Sequence, residues 1–378
     1  MGTTVRPGGR EKREWSLAKI AFAAAVVTLV FAVIAVVALP WHSSSAPAAT
    51  AARPLASASG LRIPVSPALR LRDPKSTGVY GIAYSRSGTL AVGDLNGSAY
   101  LWDVARAKIV RTFPDADGEG IFGIALSPDG TTLAADTVNG PRYTKGSLVL
   151  WNTSSDNPAA TLTAPAGRGF GNPPAFSPDG SIVAAAAANG SIYLWNTATG
   201  KTAGTLTDPR SQVDFGVAFS PATGFLAAAD GNGSTFLWDT GKDSVVRTFL
   251  DPGSMGVSGV AFSPDGGILA TGDNNGNVYL WNAATGAPTA TLYGPKGGSV
   301  QSIAFSPHGE MVAATSDNHN SHEYFTCVWD STGKLLALFQ DPGSLGVTRV
   351  AFSPDGRTLA VGDQNASTYI WAMTWHSS

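Results

Sequence analysis

The chain of 378 residues has one cysteine, Cys327, which excludes an intrachain disulfide and an all-cysteine metal site. Charged residues are few, at 14% of the chain. It has no H-E-x-x-H pair, no Walker phosphate loop and no G-x-S-x-G nucleophile elbow. Its stability must rest on buried apolar area and backbone hydrogen bonds. The little charge is unevenly placed. Arg6, Arg10, Lys12, Arg13 and Lys19 outweigh Glu11 and Glu14, so residues 1–19 carry +3, whereas residues 66–378 carry −7. An acidic body lacks the clustered basic surface that phosphate binding needs, so no nucleic-acid partner is expected.

Glycine (44) and proline (24) are plentiful, which suits short strands joined by tight turns. Ile20 to Leu39 is an uncharged apolar run. Twenty residues at about 1.5 Å each span a hydrocarbon core of about 30 Å, so a transmembrane helix is expected there. Trp15 and Trp41 flank it as interfacial aromatics, and the basic residues before it put residues 1–19 in the cytoplasm and the body outside. A cleaved signal peptide is the alternative, with Ala46, Ala48 and Ala49 near a cleavage site. The apolar part of such a peptide usually runs about 7–15 residues, shorter than this one. Residues 40–65, rich in Ala, Ser and Pro, read as a structureless linker.

Beyond the linker, Phe-Ser-Pro-Asp-Gly or a variant recurs seven times, beginning at Tyr84, Leu126, Phe176, Phe219, Phe262, Phe305 and Phe352. Each block is followed by one indole, at Trp102, Trp151, Trp195, Trp238, Trp281, Trp329 and Trp371, spaced by 49, 44, 43, 43, 48 and 42 residues. A period of about 40–45 is that of a four-stranded propeller blade. The fifth unit predicts strands a–d at Val257–Phe262, Ile268–Gly272, Val278–Trp281 and Pro288–Leu292. Proline, Asp and Gly supply the a–b turn, and Asn275-Gly276 supplies the b–c hairpin. The seventh unit lacks a fourth strand. Leu69 to Pro74 matches the strand-d endings elsewhere, so an N-terminal strand should complete the last blade and close the ring, hiding its edges. The expected fold is an all-β, seven-bladed propeller over residues 66–378, preceded by one transmembrane helix.

The repeated F-S-P-D-G-x-x-L-A block and the terminal L-W-[DN] resemble the WD-repeat family over residues 66–378, in a membrane-anchored arrangement similar to the outer part of some bacterial membrane kinases. Asp103, Asp239 and Asp330 complete the literal Trp-Asp pair; Asn152, Asn196, Asn282 and Ala372 replace it elsewhere. The family's Gly-His pair before strand a is missing, and Asp-Pro stands there at Asp73, Asp208, Asp251 and Asp341. Inter-blade packing is therefore expected to carry more of the stability than a His-centred network. The resemblance implies a rigid platform for protein or peptide partners, with no intrinsic chemistry and no cofactor.

The d–a and b–c loops of a propeller share one face. Both long insertions fall in b–c loops. One carries Arg142, Tyr143 and Lys145; the other carries His319, His322 and Tyr324. Insertions on a rigid scaffold commonly carry function, although surface insertions are also tolerated at little cost. Asp94, Asp136, Asp230, Asp273, Asp317 and Asp363 stand at strand-b ends, with Asp73, Asp115, Asp208, Asp251 and Asp341 at strand-d ends. They read either as an acidic collar for a cationic partner or Ca²⁺, or as repeated turn caps. His319, His322 and Glu323 are too few for a zinc site, and none is assigned. The function expected is non-catalytic binding of a protein, peptide or envelope ligand outside the membrane. A propeller hydrolase or lyase with scattered loop residues is the alternative.

Overall fold

The computed structural model describes residues 61–62, 66–114, 120–139, 145–164, 169–207, 214–254, 256–294, 297–318 and 321–375. The expected cytoplasmic segment and apolar run lie outside them. No helix among the described residues is long and apolar enough to cross a membrane.

Seven four-stranded antiparallel sheets follow one another in chain order. Blade 1 comprises Val79–Tyr84, Thr89–Asp94, Ser98–Asp103 and Lys108–Pro114 as strands a to d. Blade 2 comprises Gly120–Leu126, Thr132–Asn139, Lys145–Asn152 and Pro158–Thr163. Blade 3 comprises Ala175–Phe176, Ile182–Ala187, Ser191–Asn196 and Thr202–Thr207. Blade 4 comprises Asp214–Phe219, Leu226–Asp230, Ser234–Asp239 and Ser244–Leu250. Blade 5 comprises Val257–Phe262, Ile268–Asp273, Asn277–Asn282 and Pro288–Tyr293. Blade 6 comprises Ser299–Phe305, Met311–Asn318, Glu323–Asp330 and Leu335–Phe339. Blade 7 comprises Val347–Phe352, Thr358–Asp363 and Ser367–Ala372, and takes its strand d from Leu69–Leu71.

That borrowed strand pairs Leu69 with Ile370, Arg70 with Tyr369 and Leu71 with Thr368. The ring is thus an all-β, seven-bladed propeller closed by its first strand. The linker ends earlier than expected. Leu61–Arg62 pairs with Thr374–Trp375 as a two-stranded sheet beside the closure. Backbone pairing there satisfies donors and acceptors that would otherwise remain an open edge.

The core is divided among the blade interfaces. Each of seven buried clusters joins one blade to the next and holds the second blade's indole. Phe113 of blade 1 lies 5.9 Å from Trp151 of blade 2, Phe249 lies 5.7 Å from Trp281, and Phe339 lies 4.2 Å from Trp371. These strand-d phenylalanines fill the wide outer end of three wedges, and Leu71, Leu162, Leu206 and Leu292 do so in the other four. Toward the axis the wedge narrows and side chains shrink. A Cβ on Gly272 would stand 2.4 Å from Val300 of the next blade.

The Ser-Pro-Asp-Gly turns are built alike in blades 2, 3, 5 and 7. The hydroxyls of Ser127, Ser177, Ser263 and Ser353 donate to Asp129, Asp179, Asp265 and Asp355 at 2.6 Å. The same serines accept from the first amide of strand b, as Ile268 N donates to Ser263 Oγ at 2.9 Å. The closing glycine adopts the left-handed region, with φ near 71° at Gly266, which only glycine enters without strain.

Candidate binding face

The b–c turns and d–a loops emerge at one end of the antiparallel blades. The two insertions lengthen hairpins rather than add loose loops. In blades 2 and 6 strands b and c run eight residues, against five or six in the other blades. Pairing continues to Asn139 with Lys145 and to Asn318 with Glu323. Two extra residues per strand raise each hairpin by about 7 Å. Arg142, Tyr143 and His319 lie outside the described residues. Lys145 opens strand c of blade 2. His322 is exposed beyond strand b of blade 6, its Nδ1 3.5 Å from the Tyr324 hydroxyl. Tyr324 is half-buried opposite Asp317. Among the described residues no three His, Cys, Asp or Glu side chains gather to hold a metal.

Strand register separates the aspartates that the sequence groups together. Counting from the residue opposite each indole, Asp94, Asp230, Asp273 and Asp363 occupy one equivalent position at the end of strand b. All four are fully buried. Their Oδ1 atoms accept the amide two residues on, from Asn96, Asn232 and Asn365 at 2.7 Å and from Asn275 at 3.0 Å. These four side chains cap turns, as short Asp side chains do. They present no exposed collar.

Asp136 and Asp317 fall outside this ring, correcting the grouping made from sequence. Asp136 lies one residue earlier, opposite Gly123 and Leu148, where Gly93 stands in blade 1. A one-residue slip turns a strand side chain to the other face of the sheet. Asp317 lies one residue later, where burial and the neighbouring Asp363 push it up to about 7.

Asp136 is fully buried, and its two oxygens accept no hydrogen bond among the described residues. Burial holds it well above the usual carboxylate range against the opposing pull of Arg349. Arg349 sits in strand a of blade 7, where blades 1, 2, 4 and 5 carry Gly81, Gly123, Gly216 and Gly259. Its Nη1 donates to the Gln301 carbonyl of blade 6 at 2.8 Å, and burial lowers its pKa to about 10. Blades 2 and 7 are separated by blade 1, so these opposite charges act on one another across blades without a direct hydrogen bond among the described residues. Arg349 was not singled out from sequence; the signal was a lone arginine at a position that is glycine in four blades.

The Asp-Pro loops supply a second unforeseen construction. Trp102 Nε1 donates to Asp73 at 2.7 Å, and Trp371 Nε1 donates to Asp341 at 2.9 Å. In blade 5 Trp281 Nε1 donates to Thr271 Oγ1 at 2.9 Å, and that hydroxyl donates to Asp251 at 2.7 Å. Each clasp ties a d–a loop to the outer strands of the next blade. A tyrosine completes it: the hydroxyls of Tyr100, Tyr279 and Tyr369 donate to the carbonyls of Pro74, Pro252 and Pro342 at 3.2, 3.1 and 2.7 Å. Asn96 and Asn365 donate to the Tyr100 and Tyr369 hydroxyls at 2.9 Å. An aspartate thus anchors the loop-to-indole network where a histidine was missing. The sequence signal was an aspartate before proline, 29 or 30 residues ahead of the indole, with Asn-x-x-x-Tyr-x-Trp between. Asp115 and Asp208, the counterparts in blades 2 and 4, lie outside the described residues.

Cys327 is a core residue of strand c in blade 6, and burial pushes its thiol up to about 12. A thiol held protonated in the core is no nucleophile.

Residues 67–103, 175–196, 244–282, 286–321 and 333–372 match the family described as WD domain, G-beta repeat. A curated relative, Protein LST8 homolog of Drosophila melanogaster, is 39% identical over 74 residues, which is 19% of this chain and 21% of that protein. The chain therefore spans about a fifth of that relative's length. Among solved structures, a chain from the crystal structure of the mitotic checkpoint complex superposes with a TM-score of 0.70 at 20% identity, covering 90% of this chain and 100% of that one. At that identity the likeness is one of fold. The chain carries WD40 repeats, and they build a closed seven-bladed β-propeller.

Proposed function

We propose that this chain is a non-catalytic binding propeller, displayed outside a membrane by an anchor over residues 20–39, that engages a protein, peptide or envelope ligand on its d–a and b–c face. The observation that carries this reading is the pair of lengthened hairpins in blades 2 and 6. Both rise from one face of a scaffold that has three of its d–a loops fastened by clasps, and rigid scaffolds with raised elements suit recognition. Arg142 and Tyr143 of one hairpin and Tyr324 of the other are of side-chain types enriched at interfaces, with Lys145 and His322 beside them. The capping aspartates support this face by fixing its turns. Membership of a larger assembly, as in the checkpoint complex, is the kind of role proposed.

Affinity capture with the full chain tests the reading. The variant carrying Arg142→Ala, Tyr143→Ala and Tyr324→Ala should lose the captured partner while still folding, its melting temperature lowered only by the lost packing of half-buried Tyr324. Capture that persists in that variant would remove the face from consideration. Digestion of intact cells by an added protease should remove the propeller and leave residues 1–19 protected; the reverse pattern would refute outward display.

A further inference from the structure

Three of the buried aspartates in the Asp-Pro loops face a second buried acid. Asp73 lies within electrostatic reach of Asp94, Asp251 of Asp273, and Asp341 of Asp363. None of the six is more than 7% exposed. The surroundings are neutral or acidic. Around Asp73 and Asp94 stand Trp102, Ser76 and the Thr77 amide, with Tyr100 beyond Asn96. Around Asp251 and Asp273 stand Thr271, Trp281 and Tyr279. Around Asp341 and Asp363 stand Trp371, the Leu345 amide and Asp317. Among the described residues, Arg70 is the cation whose charge reaches them, acting on Asp363 from over the Tyr369 ring.

The members of each pair are held differently. Asp94, Asp273 and Asp363 accept backbone amides; in Asp94 and Asp363 burial outweighs those donors and raises the carboxyl. Asp73, Asp251 and Asp341 each accept one indole or hydroxyl donor. A carboxyl desolvated within reach of a second acid stays ionised only at large cost, so Asp73, Asp251 and Asp341 are the ones that retain a proton. The loop member is the one placed to take it.

We propose that these three acid pairs are proton-held latches, which fasten the d–a loops to the blades that follow and slacken as the medium turns alkaline. The proposal goes beyond the binding role and does not depend on any ligand. Burial, opposed by the indole or hydroxyl donor and aided by the second acid, lifts Asp73 and Asp251 to about 7 and Asp341 to about 8. A carboxyl raised on folding stabilises the fold fully below its unfolded value near 4, and that contribution is lost as pH rises through 7 to 8. The propeller should therefore be firmer at pH 6 than at pH 8.5.

The test is thermal melting of the full chain between pH 6 and 8.5, followed by tryptophan fluorescence. It is compared with the variant Asp73→Asn, Asp251→Asn, Asp341→Asn. Asparagine keeps the shape and the acceptor of a protonated aspartate but cannot ionise. The wild-type melting temperature should fall by on the order of 5 °C over this range. The variant should fall less than the wild type, the remainder coming from Asp94, Asp136, Asp317 and Asp363, which are shifted the same way. A wild-type curve that is flat or rises, or a variant that falls as far as the wild type, overturns the latches. Should the triple variant not fold, Asp341→Asn alone decides, since its fall must be smaller than that of the wild type.

Discussion

Asp251 and Asp265 serve the same blade from opposite ends, and chemically they are opposites. Asp265, in the a–b turn, is exposed, and the Ser263 hydroxyl and Gly267 amide hold its carboxyl below the usual range. Asp251, in the d–a loop, is 6% exposed, and burial lifts it to about 7. The contrast extends around the ring. Asp129 and Asp179 are held down to about 2 by hydroxyl and amide donors, whereas Asp73 and Asp341 are raised to about 7 and 8. One end of the propeller uses aspartate as a solvated charge that caps a turn. The other buries it, where it accepts an indole, a hydroxyl or a turn amide. The lesson is that a recurring aspartate has no fixed meaning until its desolvation is known.

The largest blow to the clasped end should come from Trp371→Ala. That change removes a fully buried ring packed on Phe339 and the donor to Asp341. Chemical denaturation should show a loss of about 3–5 kcal/mol. Asp251→Ala comes next. It strands the Thr271 hydroxyl in the core, and about 1–3 kcal/mol should be lost. Asp265→Ala, at the solvated end of the same blade, should cost about 1 kcal/mol or less, because water can replace its contacts. Equal losses for the last two variants would erase the distinction between the ends.

A pH series sharpens it further. Donors that depress Asp129, Asp179, Asp265 and Asp355 contribute stability that is present above about pH 4 and lost as pH falls toward 2. Asp129→Asn and Asp179→Asn together should flatten that acid limb and leave the alkaline limb untouched. The smallest effect belongs to the exposed Lys242 to Asp239 pair. Lys242→Ala should leave the melting temperature within experimental scatter, since solvent screens such pairs.

Much of the architecture was legible because it repeats. The seven indoles set the blade count, Asn275-Gly276 marked a hairpin, and the likeness of Leu69 to Pro74 to other strand-d endings foretold the closure seen at Leu69 with Ile370. The candidate face was legible only in outline. Insertions could be located, but not recognised as paired extensions ending at Asn139 with Lys145 and Asn318 with Glu323. Arg349 and the tryptophan clasps were unread because each joins residues that are far apart along the chain or belong to different blades.

The sequence by itself determined how many blades there are, their order and which strand closes them, because periodic apolar residues and turn chemistry are local properties. Only the tertiary structure decided that Asp94 caps a turn while Asp136 is buried within reach of Arg349's charge, and that Asp251 is buried while Asp265 is not. Register changes a side chain's face with a shift of one residue, and a carboxyl's charge state follows from the water it loses on folding.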